Sequence, residues 1–152
     1  AEAEDKWPQI SGASALDASR LDLQNPELDQ INSLISSAES VIFEFETGNA
    51  DLDFESTSFQ NLAQTLLDLM ARANDYGAKI SIDILGFTDE SGTERVNRII
   101  AMNRAETLKL YLMDAGIPGD VLTAYRGKDY EGDGVAIPSN TRETHLVIRM
   151  NQ

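Results

Sequence analysis

The sequence predicts an α+β fold, a βαβαββ two-layer sandwich whose mixed sheet carries its helices on one face, with an N-terminal helical extension. Two observations predict it. Segments with an apolar residue at every second position, typical of strands, alternate with segments whose apolar residues recur every three or four positions, typical of helices. The last two strand-like segments follow each other without a helix between them, which completes the predicted order.

The elements divide the chain into three parts. Residues 1–25 are polar and are interpreted as a tail or linker, 26–40 as a leading helix, and 41–152 as the main domain. Asn25 is placed to cap the leading helix, with Pro26 at its first position. The segment 16–40 could pack on the domain or mediate a homodimer.

The main domain contains two helical patterns and four strand patterns. The first helix is expected over 58–74, capped by Ser56, Thr57 or Ser58 and ended by Gly77. The second is expected over about 95–115, with a break near Ala101. Strands are expected at 41–45, 79–84, 121–125 and 144–150.

Charge and composition exclude several classes of partner. The chain has 26 acidic and 12 basic residues, a net charge of −14. Such a surface repels nucleic acid and an anionic bilayer, so any anionic polymer must be held by a local site. The chain has no cysteine, which fits an oxidising compartment and also the cytosol. The start at Ala1 resembles that of an exported protein after trimming, or a native cytosolic one.

The most informative stretch is 86–93, which follows an apolar strand. Asp89 lies in it, and Arg104 follows fifteen positions later (104 − 89). A carboxylate and a guanidinium on one loop-plus-helix unit could face one zwitterionic ligand. Two structural alternatives remain open. Asp89 could cap the next helix, and Arg104 could form an ion pair with Glu94, Glu90 or Asp89.

Over residues 41–150 the chain resembles the C-terminal domain of outer-membrane protein A, shared with peptidoglycan-associated lipoprotein and the flagellar stator protein MotB. The resemblance is carried by Phe43-Glu44-Phe45, Gly86-Phe87-Thr88-Asp89, Gly92, Asn97, Arg104-Ala105, Leu112, Gly116, Gly127, Pro138 and Asn140. It implies non-covalent binding of the peptidoglycan stem peptide through its diaminopimelate.

The resemblance also implies residue roles. Asp89 accepts hydrogen bonds from the ligand's ammonium, and Arg104 pairs with its carboxylate. Lysine lacks that distal carboxylate, so Arg104 would discriminate against it. Thr88 and Asn97 would fix the loop and share hydrogen bonds with the ligand.

The chain departs from the family pattern at three places, one of them Val96, since a tyrosine commonly precedes the asparagine at position 97. Ala101 stands where a serine usually begins the second helix, and the run Thr141-Arg142-Glu143 stands where the family often has Asn-Arg-Arg. Glu143 and the acidity favour an alternative function. In this alternative the domain is an interaction or assembly module of an envelope complex, a stator or secretion system, with weak or no peptidoglycan binding.

No pattern indicates an enzyme. The sequence has no Gly-x-Ser-x-Gly, Cys–His pair, P-loop or dinucleotide fingerprint. His145 is the single histidine, and 129–134 lacks the spacing of an EF-hand. We therefore expect no catalytic residues, no cofactor and no metal. The expected location is the periplasm, with a tether to the outer or inner membrane through a segment upstream.

Overall fold

A computed structural model describes residues 25–132 and 141–151, and it confirms the predicted α+β class and the order of elements. The predicted tail up to residue 24 and the family positions Pro138 and Asn140 lie outside the described residues. The helices are α1 (Pro26–Glu39), α2 (Thr57–Tyr76) and α3 (Glu94–Asp114), and the strands are β1 (Phe43–Glu44), β2 (Lys79–Gly86), β3 (Leu122–Arg126) and β4 (Glu143–Asn151). Short 3-10 helices cover Gly119–Val121 and Gly127–Asp129.

The four strands form one mixed sheet in the order β1-β4-β2-β3. β2 pairs parallel to β3 and antiparallel to β4, and β1 pairs antiparallel to β4. Gly86, the last residue of β2, lies opposite Thr144 on one side and Arg126 on the other. The chain therefore leaves β2 at the edge where β4 begins and β3 ends.

The core lies between the helices and one face of the sheet. Ile80, Ile82 and Ile84 of β2 point into it, as their alternation predicts, together with Leu146 and Ile148 of β4. The helical stripes close the layer from the other side, and their fully or nearly fully buried members are Phe59, Leu62, Ala63, Leu66, Leu69, Ala73, Ala105, Leu108 and Leu112. In the part of the chain that the structure describes, no helix combines the length and apolarity needed to cross a membrane.

Helix α1 packs on the domain. The side chain of Asn25 caps it by accepting hydrogen bonds from the backbone N–H groups of Glu27 and Leu28, at 3.0 and 3.2 Å. Ile31 is fully buried against the core. Because the last residue of the helix, Glu39, also accepts a hydrogen bond from the backbone N–H of Ile148 at 2.8 Å, the helix is tied to β4.

Helix α3 is continuous, so the predicted break near Ala101 is wrong. The helix begins after Thr93, whose hydroxyl accepts a hydrogen bond from the backbone N–H of Val96 at 3.2 Å. Ala101 lies inside the helix, where no side-chain cap is needed. It is buried, and a β-carbon at Gly86 would overlap its carbonyl group. The end of β2 thus rests directly on the backbone of α3.

The first strand is shorter than predicted. β1 covers two residues, whereas the alternation predicted 41–45. The backbone of Phe45 still pairs with the residue before β4, since its N–H donates to the carbonyl of Arg142 at 2.7 Å. The chain beyond it, 46–50, then runs towards α3.

Candidate functional site

The candidate site is the loop between β2 and α3. Its carboxylate, Asp89, is 23% exposed. One carboxylate oxygen, Oδ1, accepts hydrogen bonds from the hydroxyl of Ser91 at 2.7 Å and from its backbone N–H at 3.2 Å. Between them Glu90 has φ 59°, a left-handed conformation that costs a non-glycine residue free energy. The loop is therefore a tight turn held around the Asp89 side chain.

Asp89 does not cap α3, because Thr93 does. The hydrogen bonds from Ser91, its hydroxyl first, lower the pKa of Asp89; burial opposes them, and Arg142 makes a smaller contribution that lowers the pKa again. The carboxylate is therefore ionised at neutral pH, and it is available as a hydrogen-bond acceptor for a cationic group.

Arg104 lies on α3 below this loop, and its side chain is fully buried. Its guanidinium donates to three backbone carbonyls, those of Asn49 (Nε, 2.8 Å), Phe87 (Nη1, 2.8 Å) and Glu46 (Nη2, 2.9 Å). It also lies over the ring of Phe45, with 5.3 Å from Cζ to the ring centroid. Since a guanidinium carries five N–H groups, these bonds leave two without a partner in this set.

The charge of Arg104 is held by dipoles and not by a counterion. Among the described residues no carboxylate lies within 4.0 Å of its nitrogens, so the ion pairs considered from the sequence with Glu90, Glu94 or Asp89 do not form. Burial lowers the pKa of Arg104, and the nearby negative charge of Asp89 partly opposes this. A buried cation and an ionised carboxylate therefore lie close together without direct pairing.

Thr88 and Asn97 flank the same loop, and both are buried. The side-chain amide of Asn97 accepts a hydrogen bond from the N–H of Gly92 at 3.0 Å and donates one to its carbonyl at 3.1 Å. These two bonds fasten the loop to the first turn of α3, so Asn97 sets the position of the loop relative to the helix.

The structure adds Arg142, which the sequence analysis did not single out as a site residue. Its Nη1 lies 3.2 Å from Oδ2 of Asp89, and its Nε donates to the carbonyl of Phe45 at 3.0 Å. The side chain is 45% exposed. Its position in the run before the last strand was the available signal. The neighbouring Glu143 turns away to His145, with 2.8 Å between Oε1 and Nε2.

A second buried arginine, Arg126, lies beside the loop and was also missed. It pairs with Glu94 at 2.6 Å, Glu90 at 3.6 Å and Asp129 at 3.8 Å. The hydrogen bond with Glu94 raises the pKa of Arg126. Lys128 adds a further pair with Glu90 at 3.0 Å. Within residues 25–132 and 141–151, no group of three metal-ligating side chains is arranged to hold a metal ion.

The structure is an α+β domain with helices on one face of the sheet, and its candidate site is the loop that joins a fixed carboxylate to a buried guanidinium. The sequence matches the OmpA family over residues 52–144, more than half of the chain. The chain therefore belongs to the OmpA family.

Solved structures agree with this fold. The peptidoglycan-associated lipoprotein from Burkholderia pseudomallei is 19% identical, with a TM-score of 0.53 over 84% of this chain and 98% of that one. A MotB-like protein from Desulfovibrio vulgaris is 19% identical, with a TM-score of 0.50 over 88% of this chain and 94% of that one. No curated protein sequence matches the chain.

Proposed function

We propose that this domain is a non-catalytic module that binds peptidoglycan non-covalently and anchors a cell-envelope protein to the cell wall. The ligand group is the diaminopimelate of the stem peptide. The observation that carries the proposal is the buried guanidinium of Arg104, held by backbone carbonyls beside the ionised Asp89. Membership of the OmpA family and the fold shared with a peptidoglycan-associated lipoprotein support it.

The ligand chemistry fits these two groups. Diaminopimelate carries an ammonium and a carboxylate on one carbon. Asp89 accepts hydrogen bonds from the ammonium, and the two remaining N–H groups of Arg104 pair with the carboxylate. Because the Arg104 side chain is fully covered, binding includes a shift of the 46–49 segment whose carbonyls hold it. Thr88 and Asn97 hold the loop and share hydrogen bonds with the ligand.

The same geometry favours diaminopimelate over lysine. A lysine stem peptide offers the ammonium but no distal carboxylate, so Arg104 would gain no anionic partner. The net charge of −14 opposes an anionic polymer, and a local site of this kind is needed to overcome it. The periplasm is the proposed location, with a tether to the outer or inner membrane through a segment upstream.

Co-sedimentation with purified sacculi tests the proposal. Asp89→Asn removes the negative charge at a partly exposed position, and we expect it to abolish most of the bound fraction. Arg104→Lys, checked for folding by circular dichroism, should do the same. The matched control is Asp68→Asn with Arg72→Lys, an exposed ion pair of α2 at 3.1 Å. Folded Asp89→Asn protein that binds sacculi like wild type would refute the assignment.

A second candidate is an assembly module of an envelope complex with weak or no peptidoglycan binding. The excess of 26 acidic over 12 basic residues favours it, because such a surface suits a basic protein partner better than an anionic polymer. Titration with a diaminopimelate stem peptide separates the two. No amide chemical-shift change over 86–104 at millimolar ligand would favour the assembly module.

A further inference from the structure

We propose that Arg142 is a specificity-determining residue which leaves Asp89 when the ligand's ammonium arrives and then pairs with the ligand's carboxylate. The inference rests on the proposed function and adds a third residue to it. In this view Arg104 is the fixed cation of the site and Arg142 the movable one.

The two carboxylate oxygens of Asp89 have different hydrogen-bond partners. Oδ1 accepts both hydrogen bonds from Ser91, within the loop. Oδ2 faces Arg142, whose Nη1 lies 3.2 Å away. An incoming ammonium that seeks Asp89 therefore meets an oxygen that already has a cationic partner. Binding at Oδ2 is an exchange of one cation for another.

The geometry of Arg142 suits such an exchange. The side chain is 45% exposed, and ion pairs at such positions contribute little to stability, so the pair opens readily. Its Nε remains bonded to the carbonyl of Phe45 at 3.0 Å. This bond keeps the guanidinium within reach of the site while its Nη groups turn to a new partner. Arg104 cannot act in this way, because three carbonyls hold it.

The exchange discriminates between ligands. An ammonium with a neighbouring carboxylate displaces Arg142 from Asp89 and offers it a new anionic partner at once. An ammonium alone displaces Arg142 and leaves the guanidinium without one. Arg142 therefore favours the zwitterionic end of diaminopimelate and penalises the amine of lysine, so it acts as a negative as well as a positive element of specificity.

The test is a pair of titrations with a diaminopimelate stem tripeptide and its lysine counterpart, followed by amide chemical shifts. In Arg142→Gln we expect weaker binding of the first, and unchanged or tighter binding of the second. The dissociation constant of the lysine tripeptide divided by that of the diaminopimelate tripeptide should therefore fall roughly fivefold, as for the loss of one exposed ion pair. Arg72→Gln is the matched control, because this arginine is 46% exposed and pairs with one aspartate at 3.1 Å. It should leave the ratio unchanged.

Two outcomes overturn the inference, and they are distinguishable. If wild type binds the diaminopimelate tripeptide and Arg142→Gln weakens both ligands equally or neither, Arg142 sets no specificity. If wild type binds neither tripeptide, the proposed function fails and the inference falls with it. If Arg142→Gln does not fold, the same titrations are made with Arg142→Lys. It keeps the charge without the forked guanidinium, and the ratio should lie between those of wild type and the fivefold loss.

Discussion

Two buried arginines border the same loop and are stabilised in different ways, Arg104 by backbone carbonyls and Arg126 by carboxylates. Arg104 donates to three backbone carbonyls and has no carboxylate within 4.0 Å among the described residues. Arg126, of which 5% is exposed, is surrounded by the carboxylates of Glu94, Glu90 and Asp129. Burial lowers the pKa of Arg104, whereas the bond to Glu94 raises the pKa of Arg126.

The two environments indicate where a ligand anion can bind. Carbonyl dipoles satisfy three of the five N–H groups of Arg104 but leave its net charge in place, so an incoming carboxylate still gains Coulomb energy there. Around Arg126 the protein's own carboxylates already supply that energy. A buried cation solvated by the backbone is therefore a candidate binding group, and one enclosed by carboxylates is a structural element.

The largest expected effect is the loss of stability when Arg104 is replaced. Arg104→Met leaves three carbonyls without their donors in a covered site. Because each unpaired buried polar group costs free energy, we expect a loss of about 3–5 kcal/mol in the free energy of unfolding, measured by urea denaturation. A loss below about 1 kcal/mol would show that the carbonyls find other partners and that the arginine does not hold the 46–49 segment.

The second-largest loss of stability is expected at Asn97, which joins the loop to α3. Asn97→Ala removes both hydrogen bonds to Gly92, and we expect a loss of about 2 kcal/mol in the free energy of unfolding. Binding to sacculi should weaken as well, since Asp89 loses its fixed position. Asn49→Ala is a useful control, because the carbonyl that Arg104 uses there belongs to the backbone. Normal binding by folded Asn97→Ala would separate the loop position from ligand binding.

Arg126→Met should cost less, about 1 kcal/mol. The carboxylates that it releases become hydrated, since the Glu94 side chain is 56% exposed. Peptidoglycan binding should stay within about twofold of wild type. The comparison fails if denaturation gives Arg126→Met the same loss as Arg104→Met.

A buried acidic side chain, Asp83, on the other face of the sheet gives an effect that is confined to alkaline pH. Asp83 is held by the hydroxyl of Tyr130 at 2.6 Å and by Arg149 at 3.1 Å. Burial, then the bond to Asp83, raises the pKa of Tyr130 to about 12 from 10.0. The folded state thus keeps this proton longer, so the stabilisation is complete below pH 10 and is lost as pH rises towards 12. Between pH 10 and pH 12 the free energy of unfolding of Tyr130→Phe should fall less than that of wild type. Equal losses in the two proteins would contradict a stabilising role of the Tyr130 proton.

Local patterns predicted much of the fold. The alternation of Ile80, Ile82 and Ile84 and the end of the helix at Gly77 depend on neighbours in the sequence, and both are confirmed. The break predicted near Ala101 was wrong because Ala101 packs closely against Gly86, and a helical sequence pattern does not reveal such a contact.

The site was less predictable for the same reason. The sequence brings Asp89 and Arg104 to adjacent elements, but Arg142 reaches Asp89 from 53 positions away along the chain. The partners of Arg104 at Glu46 and Asn49 are backbone carbonyls, which every residue type carries. No side-chain pattern could therefore indicate them.

The side-chain Nε–H signals of Arg104 and Arg126 report which of the two buried arginines binds the ligand. Both can be followed in one spectrum while a diaminopimelate stem tripeptide is added, with the lysine tripeptide as a reference. We predict a saturable shift of the Arg104 signal and of the amides over 86–104, with the Arg126 signal nearly unchanged. No shift of the Arg104 signal at millimolar tripeptide, or a shift of the Arg126 signal alone, would show that Arg104 does not bind the ligand.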